Sequence, residues 1–168
     1  MTLATTILLV VTLQRLGELV LARHNTARLL AKGAIEIGAR HYPLLVAMHA
    51  AWLACLWIWG RDQSVDLTAL SAFIVMQGVR LWVLLTLGER WTTRIIVLPG
   101  APLVTWGPYR YFSHPNYAVV AAEIALLPLA LHLPLLALVF TLLNAAVLAI
   151  RLRAEHRALS AVNARFAA

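Results

Sequence analysis

Apolar positions along the chain fall into long blocks separated by short polar segments. Three blocks, residues 3–22, 43–60 and 67–88, are each long enough for a helix that crosses a bilayer, which needs about 20 apolar residues, or about 17 at the short end. A fourth block, residues 117–150, is too long for one such helix and has a proline near its middle. Because proline disrupts a helix interior, we predict a helical hairpin that turns at residues 132–134. The pattern predicts an all-α integral membrane protein with about five transmembrane helices.

The composition agrees with this class. Of the 168 residues, 62% are hydrophobic and 12% are charged, whereas a soluble domain is about half apolar and about a quarter charged. The length indicates one domain covering residues 1–168. We divide it into three N-terminal membrane helices (1–88) and a part comprising a loop, the hairpin and a C-terminal helix (89–168).

Basic residues collect on one side of the predicted helices. Eleven of the fourteen lysines and arginines lie in segments 23–42, 89–116 and 151–168, which share one side if five helices alternate. The opposite loop, residues 61–66, has one arginine and two aspartates. The positive-inside rule then predicts an outside N-terminus and a cytoplasmic C-terminus. The net charge of +7 therefore reflects membrane topology, and we expect no nucleic-acid partner.

Two of the connecting segments have compositions that suit helices at the membrane surface. Residues 24–40 are predicted to form an interfacial helix. Residues 151–166 are predicted to form another, with an arginine-rich face. Arg151 and Glu155 are four residues apart, so both lie on one face of the second helix. The alternative for this pair is an ordinary surface ion pair.

The segment GPYRYFSHPNY (107–117) is polar and rich in turn-forming residues, although it joins two apolar blocks. LPGAP (98–102) and Gly107-Pro108 predict two turns. Pro115 falls in the first turn of the next helix, whose free N–H groups suit the carboxylate of a ligand. The tyrosines of the segment could stack on a flat ring. The alternative is an interfacial loop that these tyrosines anchor at headgroup depth.

Polar side chains inside the predicted membrane helices indicate a cavity. Ionisable groups in a membrane are costly and are functional by default. The alternative is internal pairing, for example of Arg15 with Glu18. No Cys/His metal spacing and no nucleotide-binding glycine motif occurs in the sequence, so no metal is expected. The candidate cavity residues are Gln14, Arg15, Glu18, His49 and Arg80, with Glu123 as a further buried charge.

Two motifs together resemble a known family. LVTWGPYRYFSHPNY (103–117), followed by a helical hairpin and by R-x-x-x-E at Arg151 and Glu155, resembles the isoprenylcysteine carboxyl methyltransferase family over roughly residues 89–160. The front half resembles a bacterial subgroup that is often linked to type III polyketide synthases and methylates the hydroxyl of long-chain alkylpyrones or alkylresorcinols. Its cues are QRLGELVLARHN (14–25), RHYP (40–43) and IIVLPGAPLV (95–104).

The resemblance implies S-adenosyl-L-methionine as methyl donor, held between the cytoplasmic loop and the C-terminal helix. It implies that Arg151 faces the methyl acceptor as the catalytic residue. Two positions depart from the family pattern, because Ser113 replaces the usual arginine and His156 replaces the usual second glutamate. The implied cofactor-binding residues are Ala101, Pro102, Leu103, Val104, Tyr109, His114, Pro115, Asn116, Tyr117 and Glu155.

The expected function is that of an O-methyltransferase of the bacterial inner membrane that acts on a lipophilic acceptor among membrane lipids. The alternative acceptor is the carboxylate of a prenylated cysteine. A non-enzymatic transporter or assembly protein is the alternative of another class. A carboxylate or an ionised hydroxypyrone needs no base, whereas a resorcinol hydroxyl, with a pKa of about 10, needs one. His49, His114 and Glu18 are the candidates for that base.

Overall fold

The computed structural model describes residues 1–166, with the side chains of residue 154 and of residues 156–166 outside the described part. Most of this chain is helical. A two-stranded ribbon and three short 3-10 turns complete it. The elements are α1 (Leu3–Ala31), β1 (Ile35–Ile37), α2 (Tyr42–Trp59), α3 (Leu67–Leu87), β2 (Ile95–Val97), α4 (Pro115–Ala130) and α5 (Pro134–Phe166).

Four helices of the described chain are long and apolar enough to cross a membrane, as judged by length and composition. They are Leu3–Ala31, Ala39–Trp59, Leu67–Arg90 and Pro134–Arg153. This confirms an integral membrane protein built from helices. The helix α4 is also apolar but has 16 residues, fewer than a full crossing needs. A fifth crossing therefore remains a prediction.

The predicted hairpin between α4 and α5 is confirmed. The helix α4 ends at Ala130, and α5 begins at Pro134. In the turn between them, His132 adopts a positive φ of 54°, which few residues other than glycine adopt. The backbone N–H of Leu133 closes the turn by donating to the carbonyl of Pro128 across 2.9 Å.

One end of the bundle gathers the N-terminus, the loop 61–66 and the α4–α5 turn. The Thr2 hydroxyl donates to the carbonyl of Arg61 across 2.7 Å. The backbone N–H of Asp66 donates to the carbonyl of Ala130 across 2.8 Å. The Asp66 carboxylate also caps the start of α3 by accepting backbone N–H groups. The loop 61–66, which has few basic residues, therefore lies at this end, and the basic segments lie at the other.

A β-ribbon at the other end replaces the interfacial helix that we predict for residues 24–40, so that prediction is wrong. The helix α1 continues to Ala31, and Gly33 then turns the chain at a φ of +87°. The residues after this turn pair with the loop that follows α3 in an antiparallel register. The paired residues are Ile35 with Val97, Glu36 with Ile96 and Ile37 with Ile95. The all-helical prediction missed these strands.

Side chains of Arg94 and Tyr42 attach the ribbon to the helices. The Nη1 atom of Arg94 donates to both carboxylate oxygens of Glu36, at 2.7 and 2.9 Å. Its guanidinium carbon lies 4.4 Å from the ring centroid of Tyr42, and the Tyr42 hydroxyl is 3.1 Å from Thr93 Oγ1. The loop after α3 is thereby fixed against the first residues of α2.

Apolar side chains of all five helices form the main core of the described chain. Most come from α1, α2 and α4, and α3 and α5 add Phe73, Leu136 and Phe140. The indole N–H of Trp52 donates to the carbonyl of Ile124 across 3.2 Å. This bond sets the height of α2 against α4, which run in the same direction from the ribbon end.

Candidate active site

The loop before α4 is shaped by the two predicted turns. Gly100 and Gly107 both adopt positive φ angles, +76° and +61°, which glycine tolerates without strain. At Gly107 a side chain would also meet Thr86 Oγ1 at 2.6 Å. The loop therefore packs directly on α3 at this point and then enters a 3-10 turn, Gly107–Arg110, before α4 begins at Pro115.

The two motifs meet between α4 and α5. The Tyr117 hydroxyl donates to Glu155 Oε2 across 3.0 Å. The His114 ring stacks on the Tyr117 ring with 5.3 Å between centroids and 10° between planes. The stack and the hydrogen bond hold the Tyr117 ring between the start of α4 and the side chain of Glu155. Residues 38 positions apart in sequence thus form one side-chain group.

Arg151 lies one helical turn before Glu155 and faces the same group. Its Nη1 atom donates to the carbonyl of Thr93 across 2.9 Å, and its guanidinium carbon is 5.5 Å from the centroid of the Tyr117 ring. Arg151 is 8% exposed, and within the described part of the chain its Nε has no hydrogen-bond partner. It is a buried cation held by a carbonyl and an aromatic face.

Tyr109 lies beside this group in the 3-10 turn. It packs against a small buried cluster of Ala22, Val83 and Trp91. Burial raises the pKa of Tyr109 to about 12, and the nearby Tyr117 and Glu155 contribute further. Its hydroxyl therefore stays protonated at any physiological pH and can only act as a neutral hydrogen-bonding group.

A cavity of about 280 Å³ extends from this group into the helix bundle. Its walls come from all five helices and from residues 91–93 of the loop. Most of its lining is apolar. The polar lining residues at the ribbon end are Tyr42, Thr92, Thr93, Asn116, Tyr117 and Arg151, and those deeper in the bundle are Thr12, Arg15, Glu18, His49 and Arg80.

Two arginines and two glutamates form a paired network beside the cavity. Glu18 Oε2 accepts from Arg15 at 2.8 Å and from Arg80 at 3.0 Å. Glu123 accepts from both arginines as well, with 2.8 Å to Arg15 Nη2. The charges sum to zero, which lowers the cost of holding them inside a membrane. We call these four residues the charge quartet.

Two glutamines extend the charge quartet. Gln14 donates to Glu18 Oε1 at 2.9 Å and to Gln77 Oε1 at 2.8 Å. Gln77 in turn donates to Glu123 Oε1 at 2.8 Å. The network therefore joins α1, α3 and α4, and both glutamates have both oxygens engaged.

His49 also lines the cavity, one turn before Trp52 on α2. Its Nδ1 lies 2.9 Å from the carbonyl oxygen of Leu45. A carbonyl oxygen only accepts, so Nδ1 carries a proton. In the neutral ring Nε2 is then an acceptor. No hydrogen bond to Nε2 occurs among the described residues.

Comparison with known proteins assigns this arrangement to a family. A sequence model of the isoprenylcysteine carboxyl methyltransferase (ICMT) family matches residues 68–161, more than half of the chain. The match begins in α3 and includes both motifs. The chain belongs to the ICMT family. Members of this family are S-adenosylmethionine-dependent methyltransferases of membranes, and the chain is accordingly a membrane methyltransferase.

Two relatives extend the similarity into the N-terminal half. An uncharacterized protein, YpbQ, of Bacillus subtilis is 40% identical over 151 residues, which cover 87% of this chain and 90% of the relative. An uncharacterized protein of Haemophilus influenzae is 31% identical over 144 residues, covering 82% of this chain and 83% of the relative. No solved structure matches the chain.

The structure brings most of the sequence-predicted site residues together. Asn116, Tyr117 and Arg151 line the cavity, as do four of the five predicted cavity residues. The fifth, Gln14, lies behind the lining as a partner of Glu18. The predicted pairing of Arg15 with Glu18 is confirmed, although Glu123 and Arg80 share it.

Several predicted cofactor contacts lie outside the cavity. Residues 101–104 are not among its lining, and Leu103 is 78% exposed. Tyr109 and His114 lie beside Tyr117, and Pro115 begins α4; none of the three is among the cavity lining. Their contact with a cofactor stays a prediction. Of the two family departures, Ser113 is exposed, and the side chain of His156 lies outside the described residues.

Sequence reasoning missed the contribution of residues 91–93. Trp91 is buried beside Tyr109, and the carbonyl of Thr93 holds Arg151. A backbone carbonyl gives no signal in sequence because every residue has one. The indole of Trp91 gave a weak signal, since a tryptophan so close to a membrane helix end is also typical of an interfacial anchor.

Proposed function

We propose that the protein transfers a methyl group from S-adenosyl-L-methionine to the hydroxyl of a lipophilic acceptor, such as a long-chain alkylpyrone or a related polyketide. One observation carries this proposal. The hydrogen bond from Tyr117 to Glu155 unites the two family motifs at the end of a largely apolar cavity that Arg151 also lines. A charged donor and an apolar acceptor can therefore occupy adjacent positions.

The residues between α4 and α5 fit the donor by their chemistry. The carboxylate of Glu155 suits a cationic group, and Tyr117 fixes one of its oxygens. The buried Oδ1 of Asn116 has no partner in the described part of the chain, so a ligand N–H or O–H could satisfy it. When bound, S-adenosylmethionine supplies an electrophilic methyl group on a sulfonium. His114, Pro115 and Tyr109 would support this side of the site, and residues 101–104 would cover it.

The acceptor would lie in the apolar part of the cavity. Leu16 of α1 and Val46 of α2 line the cavity and are 55% and 39% exposed. A lipophilic molecule could therefore enter between these helices from the bilayer. Transfer of an alkyl chain into such a space is favourable by about 0.8 kcal/mol per buried CH₂ relative to water.

Arg151 is proposed to orient the acceptor oxygen. It is buried, and its Nε–H has no hydrogen-bond partner among the described residues. A charge-assisted hydrogen bond from a guanidinium is directional and about twice as strong as a neutral one. Correct placement of the oxygen and exclusion of water are the main requirements of an in-line methyl transfer.

A carboxylate is the second candidate acceptor, favoured by the buried cation of Arg151 and by the ICMT family match. The carboxylate of a prenylated cysteine would bind the guanidinium and place its chain in the apolar part of the cavity. One assay separates the two candidates. Purified protein, labelled S-adenosylmethionine and either a long-chain alkylpyrone or a prenylated cysteine are incubated, and the methylated product is identified by mass. Transfer to neither acceptor, without calorimetric binding of the donor, would refute the proposal.

The proposed location is the bacterial inner membrane, with the ribbon end and the C-terminus in the cytoplasm. Single cysteines at Gln63 and Thr105, in a chain whose Cys55 is replaced, test this by labelling from either side. Labelling of both from the same side would contradict it. A functional link to a type III polyketide synthase is proposed with the polyketide acceptor, and co-expression of such a synthase should increase methylated product.

A further inference from the structure

We infer that His49 Nε2 binds the acceptor's hydroxyl group and removes its proton, so that the acceptor enters the cavity as a neutral hydroxyl compound. This inference rests on the proposed function and specifies its acceptor. The donor and acceptor roles of the His49 ring are fixed by one contact. Because the carbonyl of Leu45 accepts from Nδ1, the neutral ring has its free lone pair on Nε2.

The height of His49 places it beside the proposed site of transfer. Trp52 is level with Ile124, to which its indole donates. Tyr117 lies seven residues before Ile124, and the residue seven before Trp52 is Leu45. His49 is thus roughly 6 Å deeper than Tyr117 along parallel helices, at 1.5 Å per residue. A ring-sized acceptor can therefore lie between Arg151 and His49, both of which line the cavity.

The other two candidate bases are excluded by their contacts. Glu18 accepts from Gln14 with one oxygen and from Arg15 and Arg80 with the other. Both oxygens of this carboxylate therefore already accept hydrogen bonds from other side chains. His114 stacks on Tyr117 and is not among the residues that line the cavity. Of the three candidate bases, His49 remains, because its Nε2 atom accepts no hydrogen bond from the described residues.

Charged groups of both signs face His49. The charge quartet beside it carries no net charge. The ionisable groups facing this part of the cavity are Arg15 and Glu18 of α1, Tyr42 of α2, Arg80 of α3, Tyr117 and Glu123 of α4, and Arg151 of α5.

The largely apolar walls of the cavity favour a neutral acceptor away from Arg151. An ionised hydroxyl would lose its hydration there, and this disfavours the charged form of an acid. The acceptor's O–H bond then breaks during transfer. The proton goes to Nε2, and the electron pair remains on oxygen and forms the new O–CH₃ bond. The leaving sulfur keeps the electrons of its former bond to the methyl group, and the proton later passes to water at the ribbon end.

The test uses a long-chain alkylresorcinol and its dimethyl ether, which lacks O–H groups, with the full chain in detergent. Wild type should bind the resorcinol about 2- to 10-fold more tightly than the ether, as one neutral hydrogen bond implies. His49→Phe should abolish this preference. His49→Gln should retain it, because an amide oxygen accepts a hydrogen bond.

Methyl transfer separates binding from base catalysis. His49→Gln should transfer methyl to the resorcinol about 100-fold more slowly or worse and lose the acidic limb of the pH–rate profile, because an amide cannot take the proton. His24→Gln, at an exposed histidine of α1, is the matched control and should behave as wild type. A preference that survives in His49→Phe, wild-type transfer by His49→Gln, or no resorcinol binding by wild type would overturn the inference. Calorimetric binding of S-adenosylmethionine is measured in the same samples. If the donor still binds, only the role of His49 is refuted and the proposed function stands.

Discussion

Arg15 of α1 and Glu123 of α4 form an ion pair with 2.8 Å between Nη2 and Oε2, although 108 residues separate them in sequence. Arg80 of α3 pairs with Glu123 as well and also with Glu18, the second carboxylate of the network. Three helices are therefore joined by charged groups inside the bundle. Arg15, Glu18 and Arg80 of this network line the cavity, so removal of one charged group leaves its partners buried without their full pairing.

Glu123→Ala should destabilise the folded protein by about 3–5 kcal/mol, because it leaves two guanidinium groups buried with one carboxylate. Unfolding of the detergent-solubilised protein, followed by circular dichroism, measures this. Asp62→Ala is the matched control, since Asp62 pairs with Arg61 at an exposed site. That change should cost under about 1 kcal/mol. Similar losses in both variants would mean that the charge quartet contributes no more than a surface pair.

Tyr117→Phe should weaken binding of S-adenosylmethionine while the protein still folds. The change removes the hydrogen bond that fixes Glu155, a bond to a charged group worth about 1.5–3 kcal/mol. We expect the dissociation constant to rise about 10- to 100-fold by calorimetry. Tyr111→Phe, at an exposed tyrosine of the same loop, should leave it unchanged. Unaltered affinity in Tyr117→Phe would place the donor elsewhere.

Arg151→Lys should reduce kcat/KM for the acceptor by about 10- to 100-fold with little change in donor affinity. Lysine keeps the charge, but it cannot bind the Thr93 carbonyl and offer a second fixed donor in the same geometry. The control is Arg153→Lys, two residues on at an exposed position. If Arg151 only marks the cytoplasmic end of a membrane helix, the lysine variant will be fully active.

Gly107→Ala should cost more stability than Gly100→Ala. Both glycines have positive φ, so each substitution costs about 1–2 kcal/mol of backbone strain. A methyl group at Gly100 meets no atom within 4 Å, whereas at Gly107 it would lie 2.6 Å from Thr86 Oγ1. The overpacking adds about 1–3 kcal/mol. Adding Thr86→Ala to Gly107→Ala should recover part of the loss in unfolding experiments, and the absence of any recovery would rule out this contact as the cause.

The free energy of unfolding should fall as pH rises from about 10 to 12, partly because of Tyr109. Burial raises the pKa of this tyrosine to about 12, so over this range the unfolded chain releases the proton before the folded chain does. The stabilising contribution is complete below the ordinary tyrosine pKa and is lost as pH rises through the folded value. Tyr109→Phe should lessen this fall and remove a step near pH 12 from the tyrosinate absorbance titration, whereas Tyr111→Phe should keep that step.

Helix positions could be predicted because the length of an apolar block directly reflects the thickness of the bilayer. The end of α1 could not. Its last residues are polar enough to resemble a surface segment, and they remain helical because they lie beside the 3-10 turn that follows α3. There Arg28 and Lys32 both pair with Glu89. The strands β1 and β2 have three residues each, too short for a local signal.

Site residues could be predicted where they belong to a sequence motif. They could not where their role depends on how the helices pack. Tyr117, Glu155 and Arg151 belong to motifs, and the structure places them together. The sharing of Arg80 between Glu18 and Glu123 requires the relative rotation of three helices, which no local pattern specifies. The same holds for the orientation of His49, which depends on a backbone carbonyl of its own helix.

The stretch that identifies the family, residues 68–161, does not contain the whole cavity. Two walls belong to α1 and α2, and the loop that holds Arg151 is secured by Glu36 of β1. If the cavity holds the acceptor as proposed, exchange of the first 67 residues between relatives should alter acceptor choice without changing either motif. The exchange would also remove ion-pair partners of Arg80 and Glu123 unless the incoming helix had matching groups at positions 15 and 18. Chimeras of this kind offer a route to new acceptor specificity in which the N-terminal helices act as an interchangeable receptor for lipids.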